Sequence, residues 1–362
     1  MASKPKGELR RGWTTGACAA AATKAAYLGL LTGRFPDPIT IVLPRGERPS
    51  FDLVESGKRG GQALAAVIKD AGDDPDVTHG ARIRATVRRG EAGSGVIFVA
   101  GEGVGVVTRP GLPVPVGEPA INPGPRQLIR SLVAEIAKAQ GDAGDLEVTI
   151  AVPGGEILAQ RTVNGRLGIV GGLSILGTTG IVIPYSCSAW IHSIYRGIDV
   201  ARAAGLDHVA AATGSTSERA VQALYGLPMV ALIDMGDFVG GTLKYLRRHP
   251  IERVTLAGGF GKLAKLADGH LDLHSSRSAV DVSALAAWLE QQGAAVALIE
   301  DVRDASSANQ ILQLARGMGL PIADDVARRA REAALAQLDG KVALEVIVFD
   351  RAGALIGRAK GW

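Results

Sequence analysis

The sequence predicts two domains, an N-terminal α+β domain followed by a Rossmann-like α/β domain built on a parallel sheet, and three observations carry that prediction. The chain has 362 residues, more than a single hydrophobic core usually serves. Its pattern changes near residue 190, from short β-rich runs broken by Gly/Pro loops to helical segments alternating with compact apolar strands. Glycine is abundant, at 48 residues against an average usage of about 7%. It is spread through a chain rich in Val, Ile and Leu, which points to many tight loops rather than disorder. The domains are drawn at 1–190 and 191–362.

Taken in order, Lys4, Lys6, Arg10 and Arg11 followed by the Ala-rich run 17–31 superficially resemble a secretory signal. Lys24 interrupts that run, which therefore reads as a helix with Lys24 facing solvent. Strands are predicted at 39–43, 82–87, 96–99 and 146–152, with a second helix at 127–139. The Gly-rich run 167–184 does not suit a lipid-spanning helix. In the second half, strands are predicted at 208–212, 229–233, 253–256 and 295–299. An antiparallel hairpin over 344–356 turns at Asp350-Arg351-Ala352-Gly353 on the sheet edge.

Composition narrows the function. Cys18 and Cys187 form neither a disulfide framework nor a zinc site, each reads as a small buried residue, and a reduced cytoplasmic setting suits them. The net charge of +4 comes from scattered Lys and Arg, and aromatics make up 4% of the chain, too few for base stacking. No nucleic-acid partner and no membrane are expected; an acidic small molecule fits the charge.

Residues 69–79 hold Asp70, Asp73, Asp74 and Asp76 within seven positions, a repulsive set that needs solvent, turn hydrogen bonds or a cationic or hydroxylated partner. The plain alternative is a surface turn. In the second half, the run from Val209 through Thr213, Gly214, Ser215 and Thr216 reads as a strand turning into a helix whose N–H groups can face an anion. Asp234 ends the next strand, where an acid commonly takes ribose hydroxyls, and Gly258, Gly259 and Gly261 follow the third. Together the three strand ends suggest a nucleoside-bearing cofactor. Gly261-Lys262 lacks the flanking Gly and Ser/Thr of a P-loop, and no full G-x-G-x-x-G is present. The six His are scattered, so no protein-bound metal is expected.

Several blocks resemble the CbiD family, the cobalt-precorrin-5B C1-methyltransferases of cobalamin biosynthesis. They are Arg11-Gly12-Trp13-Thr14-Thr15-Gly16-Ala17-Cys18, the 69–79 block, residues 101–112 beginning Gly101-Glu102-Gly103-Val104-Gly105, Gly117-Glu118-Pro119-Ala120-Ile121-Asn122-Pro123 and residues 162–180. Later blocks are Gly261-Lys262-Leu263-Ala264-Lys265 and His274-Ser275. The resemblance covers essentially the whole chain. It departs at Gly259, where the family pattern commonly has His, and at Leu273, where Thr is usual.

The resemblance implies S-adenosylmethionine (SAM) as methyl donor and a cobalt-containing tetrapyrrole as acceptor, with the cobalt belonging to the substrate. The products are cobalt-precorrin-6A and S-adenosylhomocysteine. Gly214, Ser215 and Thr216 are expected to bind the methionine end of SAM and Asp234 its ribose, with Gly258 and Gly261 allowing close backbone approach. Asp70, Asp73, Asp74 and His274 are candidates for handling a proton. Arg109, Arg126, Arg166, Lys262 and Lys265 are candidate partners for acceptor carboxylates. Thr14 and Thr15 either cap a helix or, with Gly16, offer an exposed N-terminus to a carboxylate. The tetrapyrrole is expected on domain 1–190, in a cleft shared with the SAM-binding domain 191–362. A non-catalytic tetrapyrrole carrier and an oxidoreductase acting on a corrin intermediate are the competing classes. Homo-oligomer formation and transient contact with other enzymes of the pathway stay open.

Overall fold

The computed structural model describes residues 7–362. By internal contacts the chain divides into two compact units, Met1–Cys187 and Ser188–Trp362. The class is mixed α/β, with helices and sheets in both.

The first unit runs β1 (Gly12–Trp13), α1 (Thr15–Thr32), β2 (Ile39–Thr40), β3 (Ser50–Phe51), β4 (Leu53–Arg59), β5 (Gln62–Ile68), β6 (Arg82–Arg89), β7 (Val96–Ala100), β8 (Val106–Val107), α2 (Pro123–Gln140), β9 (Leu146–Ala151), α3 (Gly155–Ala159), β10 (Ile169–Val170) and β11 (Ile181–Val182). Its main sheet has the order β4-β5-β6-β9-β7, antiparallel except for the β7–β9 pair. Ile83, Ala85 and Val87 on β6 and Leu146, Val148 and Ile150 on β9 alternate into the core, as half-buried strands must. Helix α1 packs on β5, β6 and α2. Its Ala17–Ala22 run is fully buried, so the alanines serve close packing of a central helix, which needs an apolar surface nearly all round. Lys24 does not face open solvent: it is half-buried, and its ammonium donates to the Thr40 carbonyl at 2.8 Å.

The second unit runs α4 (Cys187–Ala203), β12 (His208–Ala212), α5 (Ser215–Tyr225), a 3-10 turn (Met229–Ala231), β13 (Leu232–Asp234), α6 (Val239–Arg248), β14 (Arg253–Gly259), α7 (Phe260–Ala267), α8 (Val282–Gln291), α9 (Val296–Arg303), α10 (Ala308–Gly317), α11 (Ile322–Leu335), β15 (Ala343–Phe349) and β16 (Leu355–Ala359). The sheet order is β13-β12-β14-β15-β16, with the first four strands parallel and β16 antiparallel. Side-chain alternation splits the core in two. Val209, Ala211, Val254, Leu256, Leu344 and Val346 face the larger cluster with residues of α4, α6, α7 and α11. Ala210, Ala212, Ala257, Ile347 and Phe349 face Val221 of α5. Helices therefore cover both faces.

Several sequence expectations are corrected here. Residues 295–299 form no strand but the start of α9, because Leu298 and Val302 are buried at helical spacing and a short apolar run does not distinguish the two periods. Residues 229–231 form a 3-10 turn after Pro228, leaving Leu232–Asp234 as strand. The expected hairpin is present, yet β15 is an interior strand and only β16 lies at the edge. Cys18 is buried as expected, whereas Cys187 is exposed, which corrects its reading as a buried residue. Burial pushes the Cys18 thiol up to about 12, which leaves it unreactive. No helix among the described residues is long and apolar enough to cross a membrane.

Candidate functional site

Parallel pairing in the second unit gathers three strand ends. Ala212 of β12 lies beside Asp234 of β13 and Ala257 of β14, so the loops at Thr213-Gly214, Asp234-Gly236 and Gly258-Gly261 leave the same sheet edge. Backbone bonds tie them: Thr213 N–H donates to Ala257 O at 2.9 Å, and the N–H groups of Met235 and Gly236 donate to Ala212 O at 3.0 and 3.1 Å. The chain visits β13 on one side of β12 and β14 on the other. The carboxyl ends of β12 and β14 are thus the point at which the strand order reverses, the usual ligand position in open α/β sheets.

The glycines at this edge have different jobs. A Cβ at Gly214 or Gly259 would meet nothing within 4 Å, and at Gly261 only Ala308 at 3.4 Å. At Gly258 it would sit 2.9 Å from Thr213 Oγ1 and 3.0 Å from Leu263 Cγ, so packing by itself already requires glycine there. Helix α5 begins at Gly214 with no side-chain cap, while the Ser217 hydroxyl turns back to Gly214 O at 2.9 Å. Ser215 is exposed and Thr216 half-buried. The Trp190 indole N–H donates to Asp234 O at 3.0 Å, and a Cβ at Gly236 would lie 3.3 Å from Trp190 Cζ2. No spacing signal marked Trp190 beforehand.

Beside this edge, residues 268–278 cross over α7. Leu273 N–H donates to Asp237 O at 2.9 Å, and Leu273 O accepts from both Lys262 Nζ and Lys265 Nζ, each at 3.1 Å. Lys262 also pairs with the Asp237 carboxylate. Burial, and then Lys262, pulls the Lys265 ammonium below the ordinary lysine range. His274 follows, exposed, its Nδ1 accepting from Ser276 N–H at 3.2 Å and lying 2.7 Å from Ser276 Oγ. An Nδ1 that accepts a backbone N–H fixes the neutral imidazole proton on Nε2.

In the first unit the acidic loop has structural partners. Asp70 receives both Arg10 guanidinium nitrogens and Gly72 N–H. Asp73 accepts from Arg10 N–H at 2.6 Å, and Asp74 from Tyr185 N–H at 2.8 Å, holding Tyr185 at φ 57°. Asp76 takes the buried Lys69 ammonium at 2.7 Å and both the N–H and hydroxyl of Thr78. These contacts offset the repulsion: Asp70, Asp73 and Asp74 pin residue 10 and residue 185 to the loop.

The hydrogen bond and charge of Arg10 hold the Asp70 carboxyl down to about 2. Its stabilisation is thus present above the ordinary carboxylate range and lost as pH falls through about 2. The side chain is 42% exposed, so Asp70→Asn is expected to cost only about 0.5–1 kcal/mol at pH 7. Urea midpoints of the two proteins should converge as pH drops toward 2; an equal gap at both pH values would assign the loss to packing instead.

The remaining candidates separate in the same way. Thr14 caps α1 by accepting from Ala17 N–H at 3.1 Å, and Gly16 N–H donates to Leu176 O at 3.0 Å. Thr15 exchanges two hydrogen bonds with Leu176. The N-terminus of α1 is buried and closed, not exposed to a ligand. Arg126 is used internally, donating to Ile121 O, Pro119 O and Glu118. Arg109 is exposed, its stem pressed on Gly168, where a Cβ would lie 2.6 Å from Arg109 Cγ. Arg166 is half-buried in the turn after α3.

Comparisons with known proteins complete the description. The sequence profile of CbiD matches residues 2–184, and that of the CbiD C-terminal domain matches residues 272–360. A Bradyrhizobium sp. protein named cobalt-precorrin-5B C(1)-methyltransferase is 62% identical over 98% of this chain and 94% of its own length. One of the same name from Paramagnetospirillum magneticum is 61% identical over 97% and 98%. A crystal structure of a cobalamin biosynthesis protein from Archaeoglobus fulgidus is 25% identical, covering 87% of this chain and 86% of that one, with a TM-score of 0.39.

Proposed function

The chain belongs to the CbiD family, and from that premise we propose that it transfers a methyl group from SAM to C1 of cobalt-precorrin-5B, giving cobalt-precorrin-6A and S-adenosylhomocysteine. Its relatives at about 60% identity over nearly the whole chain carry that activity in their names. SAM supplies an electrophilic methyl group on a sulfonium. The transfer is an in-line displacement, so the protein's work is alignment and exclusion of water.

One observation supports this position for the donor: three parallel strand ends meet at one edge, with Asp234 on one side of open-faced Gly214 and open-faced Gly259 on the other. In this reading the second unit is the Rossmann-like SAM domain. The uncapped α5 N-terminus at Gly214, Ser215 and Thr216 takes the methionine carboxylate, Asp234 the ribose, and Gly259 and Gly261 leave room for the donor. The first unit contacts the tetrapyrrole, with exposed Arg109 the most available cation for an acceptor carboxylate. The protein works in the cytoplasm.

Anaerobic incubation with methyl-labelled SAM and cobalt-precorrin-5B tests the reaction. Label at C1 establishes it, label elsewhere on the ring changes the acceptor position, and tetrapyrrole binding without transfer supports a carrier. For the donor site, Asp234→Ala is expected to weaken S-adenosylhomocysteine binding roughly tenfold, since a hydrogen bond to a charged group is worth about 1.5–3 kcal/mol. Tetrapyrrole affinity should stay constant. Titration calorimetry with each ligand reads both; loss of tetrapyrrole affinity alone would reverse the roles of the units.

A further inference from the structure

We infer that Lys265 is the general base that takes up the proton released in the methylation, an inference that rests on the methyltransferase reading above. Moving a methyl group from a sulfonium leaves the C–S electron pair on sulfur, and the new C–C bond uses a π pair of the acceptor. The acceptor thereby gains the positive charge the sulfonium loses, and it returns to its former charge by giving up one proton from its conjugated system. A neutral amine accepts that proton with its lone pair and becomes an ammonium.

The geometry singles out Lys265 for this task. It is only 7% exposed, and its Nζ has one hydrogen bond, to Leu273 O at 3.1 Å. Among the described residues no carboxylate lies within ion-pair distance of it. The nearest acid of the group, Asp237, is engaged by Lys262. Both ammonium nitrogens reach the same carbonyl, which keeps them within roughly 6 Å of each other, and two like charges that close under a covering loop disfavour each other. Lys262 is compensated by Asp237, whereas burial and then the charge of Lys262 pull the Lys265 ammonium below the ordinary lysine range, toward the neutral amine that can accept a proton. This is the arrangement that makes a lysine reactive near neutral pH.

The charged groups bearing on Lys265 are Lys262 on its own helix, Asp237 after β13 and Asp272 on the crossing loop. The Leu273 carbonyl accepts from the amine before the step and from the ammonium after it. The base is thereby tied to the candidate donor edge through Leu273 and Asp237, three residues beyond Asp234. A carboxylate of the substrate would need to displace Leu273 to reach Nζ, whereas a general base needs only to come within hydrogen-bond reach of the proton, directly or through one water.

The test uses the full chain with labelled SAM and cobalt-precorrin-5B. Lys265→Met is expected to lower kcat by about 10²–10⁴-fold, with affinity for S-adenosylhomocysteine and for the tetrapyrrole kept within about threefold of wild type. Lys265→Arg, which keeps the charge and a donor for Leu273 O but cannot accept a proton, should be comparably slow. Lys265→Ala should regain activity with added primary amines, more with the more basic ones, and should lack the acidic limb of the wild-type pH–kcat profile. An active Lys265→Arg, or absence of amine rescue in a Lys265→Ala protein that still binds both ligands, overturns the assignment. If Lys265→Met or Lys265→Ala fails to bind ligand, Lys265→Arg alone decides. Absence of label transfer by the wild type would instead overturn the methyltransferase reading.

Discussion

Glu345→Ala is expected to destabilise the second unit by about 3–5 kcal/mol, the usual cost of leaving one partner of a buried ion pair alone. Glu345 is 1% exposed on β15. One carboxylate oxygen accepts from Arg358 Nε at 2.7 Å, and the other from the Tyr225 hydroxyl and from Thr255 Oγ1. Arg358 also donates to the Tyr225 hydroxyl at 2.8 Å, and His208 lies 2.9 Å from Thr255 Oγ1. Burial and the bond to Glu345 push the Tyr225 phenol up to about 12, so it stays a donor. The network joins β12, β14, β15, β16 and α5. It occupies the amino-terminal half of the parallel strands, the opposite end from the candidate donor edge. Removing the carboxylate takes one partner from an arginine, a phenol and a threonine hydroxyl at once. Glu345→Gln keeps the volume but sets an amide NH₂ among donors, and about 1–3 kcal/mol is expected. Urea unfolding followed in the far ultraviolet checks both. A Glu345→Ala midpoint indistinguishable from an exposed substitution would mean that water enters and satisfies Arg358.

The same strands show what the sequence could announce. Val209, Ala210, Ala211 and Ala212 are buried on both faces, and a continuous run of small apolar residues is how a doubly covered parallel strand reads. Ile83, Ala85 and Val87 alternate for the opposite reason, with one face partly wet. Residues 295–299 misled because five apolar residues fit either period, and only Leu298, Ile299 and Val302 packing together makes the helix. Of the donor edge, Gly214 and Asp234 could be located because strand, turn and helix follow each other locally. Gly258 could not be told apart from them, since the Thr213 and Leu263 atoms that exclude a side chain there come from other segments. Lys262 and Lys265 were visible as cations, but their shared partner is a backbone carbonyl, and no side-chain pattern encodes a carbonyl. The partners of the acidic loop, Arg10 and Tyr185, lie 60 or more residues away, so its own residues could not announce them.

Long-range backbone contact also explains the Gly101-Glu102-Gly103-Val104-Gly105 block, and it sets the second large effect: Gly103→Ala is expected to cost the first unit about 3–5 kcal/mol. Gly103 has φ +70°, and a Cβ there would lie 2.0 Å from Val152 O and 2.8 Å from Gly155 N. Left-handed strain alone is worth about 1–3 kcal/mol, and overpacking against backbone that cannot rotate away adds about as much. The surrounding glycines leave no direction of relief. Cβ atoms at Gly155 and Gly172 would themselves sit 2.3 and 2.2 Å from Gly103 O, and that oxygen already accepts from Leu173 N–H at 2.9 Å. Gly57, inside β4 with nothing within 4 Å of its Cβ position, is the matched control. Gly57→Ala should be neutral or stabilising by about 0.5–1 kcal/mol, because alanine loses less backbone freedom on folding. Urea midpoints for the two variants should therefore move in opposite directions. If they coincide, the peptide at Gly103 swings aside at little cost, and the spacing of this glycine block answers to something other than the meeting of three backbones.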